Sequence, residues 1–347
     1  MATLKELADR TGYSPATISR ILSGDPSLSV TPEARRTVLE EAGRLNYTAT
    51  RSRRGRTPKS LLRVGVAEML SPAQQLDDPY YLYLSGFVRQ GCLDRKCACL
   101  ALERRGEGFA APEGAALDGV VAIGVFSPAQ VESLAALTPN VVFLDSSPFE
   151  SRFDSVVLGY ELGISLALDH LTGLGHRHIG FVGPAYKIDD RHAPSPEVRR
   201  ALFVRLMERR GLLDRAPLLD CPMDSAAAAR VVGEFLASGV PRPTALLCAN
   251  EECAIGALRA LEGAGLGVPG EMSVVSFNDT PRSALVEPPL TSVSAHVEEM
   301  ARTALRLLSE RAVLPGRAPV RTIPLKVVVP PALAVRESTR QAPGCEN

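Results

Sequence analysis

The chain has 347 residues, of which 45% are hydrophobic and 22% are charged. These ordinary globular values exclude a largely disordered chain, a collagen-like repeat and a coiled-coil rod. The length suits two or three domains of roughly 100 to 200 residues each. The 39 basic residues balance 39 acidic ones, so the average charge gives no sign of a polyanionic partner.

The charge is unevenly distributed along the chain. Residues 1–60 contain eleven Lys or Arg against six acids, a net charge of +5. From Arg51 to Arg63 six basic residues occur without an acid, among Ser, Thr, Gly and Pro. Such a composition is typical of a basic linker, which is either a simple solvated tether or a segment that contacts a polyanion.

Export and membrane signals are missing from the sequence pattern. The first ten residues, MATLKELADR, lack an apolar h-region, and no stretch approaches the roughly 18 apolar residues of a membrane span. We therefore expect a cytoplasmic protein without a membrane partner. The seven cysteines have no C-x-x-C spacing, which indicates reduced thiols rather than a zinc site.

The segment TLKELADRTGYSPATISRIL predicts two short helices joined by a turn at Gly12. Ser14 followed by Pro15 is typical of a helix N-cap and first helical residue. The second helix is predicted to run from Pro15 to about Leu22. Its apolar stripe consists of Ile18, Ile21 and Leu22. Two short helices joined in this way form a helix-turn-helix.

A third helix is predicted from roughly Pro32 to Leu45. It would pack across the first two helices through five apolar side chains, Ala34, Val38, Leu39, Ala42 and Leu45. An ordinary three-helix mini-domain is the alternative interpretation. A basic unit beside a basic linker nevertheless has the charge to neutralise phosphates and a helix that fits the major groove, which favours DNA binding.

Residues 61–335 alternate short apolar runs with helical patterns, which predicts parallel sheets with crossover helices. The predicted strands start at Leu62, Cys97, Gly119, Asn140, His178, Ala245 and Ser273. The predicted helices include Tyr81 to Arg95, Tyr160 to Leu174, Pro196 to Arg210 and Glu251 to Ala264.

The same region contains no G-x-S-x-G nucleophile elbow and no P-loop. The run from Gly265 to Gly270 matches G-x-G-x-x-G, but it follows a helix and precedes a strand, the reverse of the dinucleotide-binding order. It is interpreted as a helix-to-strand loop. His176 and His178 lack metal-ligand spacing and are expected to pack or cap. We expect no catalytic residue, metal or cofactor.

Several segments together resemble the LacI/GalR family of sugar-responsive transcriptional repressors. TLKELADRTGYSPATISRIL and LEEAGRLNY resemble the family's DNA-binding headpiece, whereas GLGHRHIGFVG, PTALLCANEECAIGALRAL, EMSVVSFNDT and EPPLTSV resemble its core. The resemblance implies an all-α helix-turn-helix headpiece, residues 1–47, and a basic hinge linker, residues 48–61. It also implies a core of two doubly wound parallel-sheet lobes like a periplasmic binding protein, residues 62–335, before a flexible tail, residues 336–347.

The resemblance also implies which residues contact double-stranded operator DNA. These are Thr3, Ser14, Pro15, Ala16, Thr17, Ser19, Arg20, Asn46, Tyr47, Arg51, Arg53, Arg54 and Arg56. Pro15 and Ala16 offer only apolar contacts, for instance with a thymine methyl, and Arg20 can reach guanine or phosphate. A helix cap is the alternative role for Ser14, and one residue can do both.

For the effector, the family places polar groups at strand ends that line the cleft between the lobes. The matching residues are Asp78, Tyr80, Tyr81, Asp145, Arg199, Asn250, Asn278 and His296. Such groups suit a ligand with many hydroxyls, and an aromatic ring can stack on a sugar's apolar face. Loop capping is the alternative for Asp145 and Asn278, and His296 faces either the pocket or the hinge.

The resemblance implies a homodimer on a pseudo-palindromic operator, because one recognition helix covers only a half-site. Helix Tyr81 to Arg95 and the segment from Glu251 to Leu261 are the candidate dimer contacts. A sugar would release the protein from DNA. The run DDPYY resembles repressors of β-galactosidase genes, which suggests a galactoside. A solute-binding protein or a sugar-active enzyme would explain the core but not the headpiece.

The hinge departs from the family pattern. Where the family has an Ala and, three residues later, a Leu that wedges into the minor groove, this chain has Arg53 and Arg56 with Gly55 between them. Arginine is favoured in a narrow, A·T-rich minor groove, and without an apolar wedge a sharp kink is not expected. The alternative is that Leu61 or Leu62 takes the wedge role.

Overall fold

The computed structural model describes residues 4–22, 30–44, 62–77, 79–112, 115–189, 192–313 and 318–343. The chain separates into two compact units, residues 1–59 and residues 60–347. In the described part of the chain, no helix has the length and the apolar character that crossing a membrane requires.

The first unit is a three-helix headpiece. Its helices are α1 (Leu4–Thr11), α2 (Pro15–Leu22) and α3 (Pro32–Arg44). Gly12 has a φ of +73°, a conformation that glycine adopts without strain, and it turns the chain between α1 and α2. The predicted helix-turn-helix is therefore present.

The headpiece core is small and contains members of all three helices. Leu7, Ile18, Ile21, Val38 and Ala42 are buried together. The prediction that Leu39 packs across the first two helices is wrong, because half of this residue is exposed. Leu45, the last residue of the predicted stripe, lies outside the described residues.

The second unit is the α/β core. Its helices are α4 (Pro72–Asp77), α5 (Pro79–Asp94), α6 (Pro128–Leu137), α7 (Tyr160–Gly173), α8 (Val198–Arg209), α9 (Ser225–Ala237), α10 (Glu251–Gly263) and α11 (Val297–Arg311), with 3-10 turns at Leu213–Arg215 and Pro281–Ala284. Its strands are β1 (Arg63–Glu68), β2 (Ala98–Ala101), β3 (Glu103–Arg105), β4 (Gly108–Ala110), β5 (Gly119–Ile123), β6 (Val141–Leu144), β7 (Asp154–Leu158), β8 (Ile179–Val182), β9 (Tyr186–Ile188), β10 (Pro194–Pro196), β11 (Leu218–Leu219), β12 (Ala245–Cys248), β13 (Ser273–Asn278), β14 (Thr291–Ser294), β15 (Lys326–Val329) and β16 (Ala332–Ala334).

These strands form two six-stranded sheets, one in each lobe. Lobe 1 has the strand order β15-β7-β6-β5-β1-β2, and all of its neighbours are parallel. Lobe 2 has the order β11-β8-β12-β13-β14-β16, and only the last pair is antiparallel. Helices α5, α6, α8, α9 and α10 lie between parallel strands, so the sequence-based expectation of two parallel-sheet lobes is confirmed.

The chain passes between the lobes after β7, after β14 and between β15 and β16. Strand β15 thereby joins lobe 1 beside β7, far from it in sequence. Gly159 follows β7 and donates its backbone N–H to Val329 O at 2.9 Å, which joins two of the crossing segments. A relative motion of the lobes must be absorbed at these segments.

All seven predicted strands are present, but the sequence did not predict β3, β4, β7, β9, β10, β11, β14, β15 and β16. Strand β7 begins with a carboxylate, Asp154, which is fully buried. The side chain of Arg321 donates to both oxygens of Asp154, at 2.7 and 3.0 Å. Arg321 is far from Asp154 in sequence, and the ion pair offsets the cost of burying the carboxylate. A local sequence pattern therefore cannot indicate that a buried strand begins at Asp154.

The predicted flexible tail, residues 336–347, is wrong for residues 336–343. Ser338 is fully buried and its hydroxyl donates to Val274 O at 2.6 Å. Its oxygen also accepts the backbone N–H of Thr291 at 2.8 Å, and Ala342 N donates to Leu174 O at 2.8 Å. These hydrogen bonds attach the segment to lobe 2. Residues 344–347 lie outside the described residues.

Candidate functional site

The N-terminus of α2 is fixed by a side-chain cap. The Ser14 hydroxyl oxygen accepts the backbone N–H of Thr17 at 3.1 Å, and the two hydroxyl oxygens lie 2.8 Å apart. Ser14 therefore has the capping role that was its alternative interpretation. A phosphate contact by the same residue stays a prediction.

The outer face of α2 is available for contact. Pro15, Ala16, Ser19 and Arg20 are exposed, and Thr17 is half-buried. Ile18 and Ile21 are buried on the opposite face. The predicted DNA-reading side chains therefore share the surface of one short helix whose inner face is held by the headpiece core.

Eight predicted contacts lie outside the described residues. They are Thr3, Asn46, Tyr47, Arg51, Arg53, Arg54 and Arg56 for DNA, and Asp78 for the effector. Their roles stay predictions from the sequence.

A cavity of about 430 Å³ lies between the two lobes. Lobe 1 lines it with Met69, Leu70, Tyr81, Arg104, Val125 and Gln130, and lobe 2 with Pro184, Lys187, Ile188, His192, Arg199 and Met223. This volume is within the usual range of small-molecule sites. Because both lobes contribute side chains, a ligand in this cavity contacts both.

Asp145 lies at the carboxyl end of β6 and is not among the residues that line the cavity. It has a φ of +72°, in the left-handed region that Asp tolerates better than most residues. Tyr80 and Tyr160 donate their hydroxyls to Oδ1 at 3.1 and 3.3 Å, and Tyr81 donates to Oδ2 at 2.9 Å. Three predicted effector residues, Tyr80, Tyr81 and Asp145, are thus brought together.

Burial dominates the electrostatics of this carboxylate. It raises the pKa of Asp145 above its ordinary value, although Lys187 and the Tyr81 hydroxyl act in the opposite direction. The pKa values of Tyr80 and Tyr160 are also raised, first by burial and then by the Asp145 charge. The tyrosines therefore remain hydrogen-bond donors near neutral pH.

Arg199 occupies the opposite wall and is buried. Its Nε donates to Glu197 at 2.9 Å and its Nη1 donates to Ala249 O at 2.7 Å. The guanidinium carbon lies 5.7 Å from the centroid of Tyr160 and 5.6 Å from that of Phe277. Burial lowers the pKa of Arg199, but Glu197 more than offsets this effect, so the net pKa is raised and the group stays charged.

The three remaining predicted effector residues do not line the cavity. Asn250 is buried and its side-chain oxygen caps α10 by accepting Cys253 N at 2.9 Å. Asn278 ends β13 with a φ of +95°, and its backbone oxygen accepts Ala295 N at 3.2 Å. His296 is exposed at the start of α11 in the left-handed conformation, with a φ of +49°. An effector role for these residues stays a prediction.

Sequence reasoning missed most of the residues that line the cavity. Lys187 and His192 belong to the β9–β10 hairpin and its turn, in a segment whose sequence is typical of a loop. Gln130 was detectable, because Ser127 and Gln130 form a reciprocal capping box at the start of α6. Met69 and Val125 follow strands β1 and β5, where cleft residues are expected in parallel sheets.

His176 has a structural role. Its ring nitrogens lie 2.8 Å from the Thr244 hydroxyl and 3.1 Å from the Ser273 hydroxyl. Nε2 also lies 3.0 Å from Arg340 O, which holds the C-terminal segment on lobe 2. Burial lowers the pKa of His176. Among the described residues, no group of three or more His, Cys, Asp or Glu is arranged to hold a metal ion.

Comparison with protein families identifies a periplasmic binding protein-like domain over residues 168–339. The chain is 31% identical to the HTH-type transcriptional repressor MelR of Bacillus subtilis, over 97% of both chains. It is 32% identical to the HTH-type transcriptional regulator GalR of Lacticaseibacillus casei, over 92% of this chain and 95% of that one.

Solved structures show the same fold. The lac repressor dimer bound to operator and the anti-inducer ONPF matches with a TM-score of 0.61 and 23% identity, over 98% of this chain and 99% of that one. The complex of the transcriptional regulator CelR with cellobiose matches with a TM-score of 0.62 and 22% identity, over 97% and 100%. With the helix-turn-helix headpiece and the two-lobed core, this similarity over nearly the whole length leads to one conclusion: the chain belongs to the LacI/GalR family of HTH-type transcriptional regulators.

Proposed function

We propose that this regulator is a cytoplasmic repressor that binds a pseudo-palindromic operator as a homodimer and is released when a sugar occupies the cavity between its lobes. One observation carries the proposal. The cavity wall combines Tyr81 of lobe 1 with Arg199 of lobe 2, so a bound ligand favours one arrangement of the lobes over another. Only such a difference in affinity between two states can change DNA binding.

Recognition of DNA is assigned to the exposed face of α2. Pro15 and Ala16 offer apolar contacts at its N-terminus, and Ser19 and Arg20 offer hydrogen bonds further along. Thr17, together with Ser14, Thr3, Asn46, Tyr47 and the hinge arginines 51, 53, 54 and 56, completes the proposed contact set. Phosphate contacts by these groups would position the helix, and contacts with base edges would specify the sequence.

The homodimer is supported by exposed apolar side chains on α5 and by a groove on lobe 2 that apolar side chains of α10 help to line. Leu82 and Leu93 on α5 are 45% and 66% exposed. In lobe 2, Ile255 and Leu258 of α10 line a surface groove together with Val286. Surfaces of this kind mark protein interfaces. They belong to the helix α5 and the α10 segment that the sequence resemblance pointed to.

Sedimentation velocity tests the dimer. Leu93→Arg and Leu258→Arg should each shift the protein toward monomer at micromolar concentration, because they place a charge in an apolar contact. Leu162→Arg is the matched control, since Leu162 is 45% exposed on α7, a helix that packs on α8, β14 and β16. A wild-type protein that is monomeric both alone and with operator would refute the homodimer.

The effector is proposed to be a sugar, with a galactoside as the candidate from the sequence resemblance. Tyr81 supplies an aromatic ring and a hydroxyl at the cavity, and Gln130 and Arg199 supply further polar groups. Several relatives are named as repressors or regulators called MelR, GalR, GanR and LacR, and CelR was solved with cellobiose. These names support a sugar-responsive role.

Two other functions share this core. A solute-binding protein or a sugar-active enzyme would use the cavity but would have no use for the headpiece. The relatives match this chain over nearly their whole length and are named as transcriptional regulators. This similarity supports a role without catalysis, metal or cofactor. Neither alternative predicts that sugar changes affinity for DNA.

Fluorescence anisotropy with DNA from the promoter of the gene that encodes this protein tests the proposed function. The full-length protein should bind a pseudo-palindromic site and lose affinity when the effector is added. Tyr81→Phe should weaken the response to effector, whereas Tyr83→Phe, on the same helix but not lining the cavity, should leave it unchanged. DNA affinity that no sugar alters would contradict the proposal.

A further inference from the structure

The charged side chains that line the cavity between the lobes are all basic. Lobe 1 contributes Arg104 from β3, and lobe 2 contributes Lys187 from β9 and Arg199 from α8. His192, which can also carry a positive charge, lines the cavity beside Lys187. No Asp or Glu is among the described residues that line it.

Two carboxylates that interact with the residues of the cavity wall, Asp145 and Glu197, are occupied by other partners. Asp145 receives three tyrosine hydroxyls. Glu197 is fully buried, pairs with Arg199 Nε at 2.9 Å and accepts the backbone N–H of Arg200 at 3.0 Å. Glu197 balances the charge of Arg199, and the charge of Asp145 offsets one more of the cavity's cations.

Among the described residues that line the cavity, Arg199 pairs with Glu197 and Lys187 acts on Asp145, whereas Arg104 has no salt bridge. Lys187 places its ammonium 5.9 Å from the centroid of the Tyr160 ring. Within the described ranges, neither Lys187 nor Arg104 forms a salt bridge with an acid, whereas the neighbouring Arg105 pairs with Glu103 at 2.9 Å. Arg104 is thus the lining cation of lobe 1 that lacks a balancing carboxylate.

These cations come from both lobes, so the repulsion between them acts on the distance between the lobes. Arg104 of lobe 1 and Lys187 of lobe 2 repel each other, and this repulsion grows as the cavity narrows and water leaves. An anionic group placed between them converts the repulsion into two attractions. A neutral sugar leaves the repulsion in place.

We infer that the effector is a sugar that carries an anionic group, either a phosphate or a carboxylate. This inference rests on the proposed function, since it names the chemical class of the ligand for the same cavity. Arg104 has the planar fork that binds either anion through two hydrogen bonds, and Lys187 supplies a point charge. Met69, Ile188 and Met223 leave apolar wall for the face of a sugar ring.

Calorimetry with the full-length protein and matched sugars tests the inference. The probes are galactose, glucose and lactose, each compared with its 6-phosphate and with the corresponding uronic acid, and inorganic phosphate alone. At least one anionic sugar should bind about tenfold or more tightly than its neutral parent. The same compound should release the protein from operator DNA in an anisotropy titration.

Variants of the adjacent residues Arg104 and Arg105 distinguish a charge effect inside the cavity from a general effect of the protein's net charge. Arg104→Gln and Lys187→Gln should each reduce the preference for the anionic sugar by about tenfold. Arg105→Gln is the matched control, because it removes the same charge from the same hairpin outside the cavity, and it should leave the preference unchanged. An equal loss in all three variants would overturn the inference.

The remaining outcomes separate the inference from the proposed function. If neutral sugars bind and release DNA as well as the anionic ones, the anionic effector is refuted and the sugar-responsive repressor stands. If inorganic phosphate binds as tightly as the sugar phosphate, the cavity is an anion site without sugar recognition, and the inference fails. If operator binding is intact but no compound binds, both the inference and the sugar effector are refuted.

Discussion

The hydroxyl of Tyr81 donates a 2.9 Å hydrogen bond to Oδ2 of Asp145. Tyr81 lines the cavity, whereas Asp145 is half-buried at the end of β6 and is not among the residues that line it. Tyr80 and Tyr160 donate to the other carboxylate oxygen. Any movement of the Tyr81 ring therefore alters the set of three hydrogen bonds that stabilises the Asp145 carboxylate. This hydrogen bond links the cavity to the point where Tyr160 begins the first helix of lobe 2.

The titration of Asp145 should give stability a distinct pH dependence. Burial raises its pKa in the folded protein, whereas the unfolded chain has a value of about 3.9. The folded state then binds more protons than the unfolded state between these two pKa values, so the free energy of unfolding falls as pH rises through that window. Asp145→Asn should lose this contribution.

Urea unfolding between pH 3.5 and pH 7 measures the effect. Subtracting the Asp145→Asn curve from the wild-type curve removes the contribution of Glu251, whose pKa is also raised by burial. The difference should fall with rising pH and become flat above the folded pKa. Two parallel curves would show that Asp145 does not titrate differently on folding.

Replacing Arg199 should affect stability and effector response but not DNA recognition. Arg199→Ala leaves Glu197 buried without its guanidinium partner, a change that costs about 3–5 kcal/mol in comparable cases. Adding Glu197→Gln should restore part of that loss. Operator affinity should be unchanged at a temperature where the single variant is folded, and release by sugar should be abolished.

Urea unfolding of both single variants and the double variant measures the coupling. Additive losses would show that the two residues do not stabilise each other. A normal response of Arg199→Ala to the usual concentration of sugar would show that the effector binds elsewhere.

Ser14 and Ser19 should have separable roles on α2. Ser14→Ala removes the hydroxyl that accepts Thr17 N and should destabilise the headpiece by about 1 kcal/mol. Ser19→Ala, on the exposed face of the same helix, should leave stability unchanged and weaken operator binding. Hydrogen exchange of the α2 amides and DNA anisotropy measure the two effects. Faster exchange in both variants would contradict this division of roles.

The hinge arginines predict the shape of the bound operator. Arg53 and Arg56 lie outside the described residues, so the prediction rests on sequence: the operator centre should be A·T-rich and only modestly bent. Binding should weaken steeply with salt, because each phosphate contact contributes about −0.9 to the logarithmic slope. Circular-permutation bending assays measure the angle. A strong kink that survives Arg56→Ala but disappears in Leu61→Ala would favour the leucine wedge.

Local sequence was sufficient where burial is continuous. Strands β5 and β6, GVVAI and VVFL, are buried at every position, so their apolar runs predicted them. Strands β7 and β14 start with Asp154-Ser155 and Thr291-Ser292, and distant partners satisfy the buried side chains of Asp154 and Thr291. Thr291 N also donates to the Ser338 hydroxyl.

The same limit applies to the site. Tyr81, Asp145 and Arg199 were predicted as effector residues because the family resemblance matched them to strand ends that meet in the cleft. The pattern could not distinguish a ligand contact from a cap, and Asn250 closes the first turn of α10. Lys187 and His192 lie in a short hairpin whose polar sequence resembles any surface loop, so only the three-dimensional arrangement places them at the cavity.

The crossing of β15 back into lobe 1 has a consequence for the newly made chain. Residues 62–158 can pair five of the six strands of that sheet as they leave the ribosome, but β7 keeps an uncovered edge until residues 326–329 are made. The ion pairs of Asp154 with Arg311 and Arg321 also cannot form until those two residues have been synthesised. Lobe 1 therefore becomes complete only after nearly all of lobe 2 has been translated, and a product truncated before β15 would leave the edge of β7 unpaired and open to pairing with another chain.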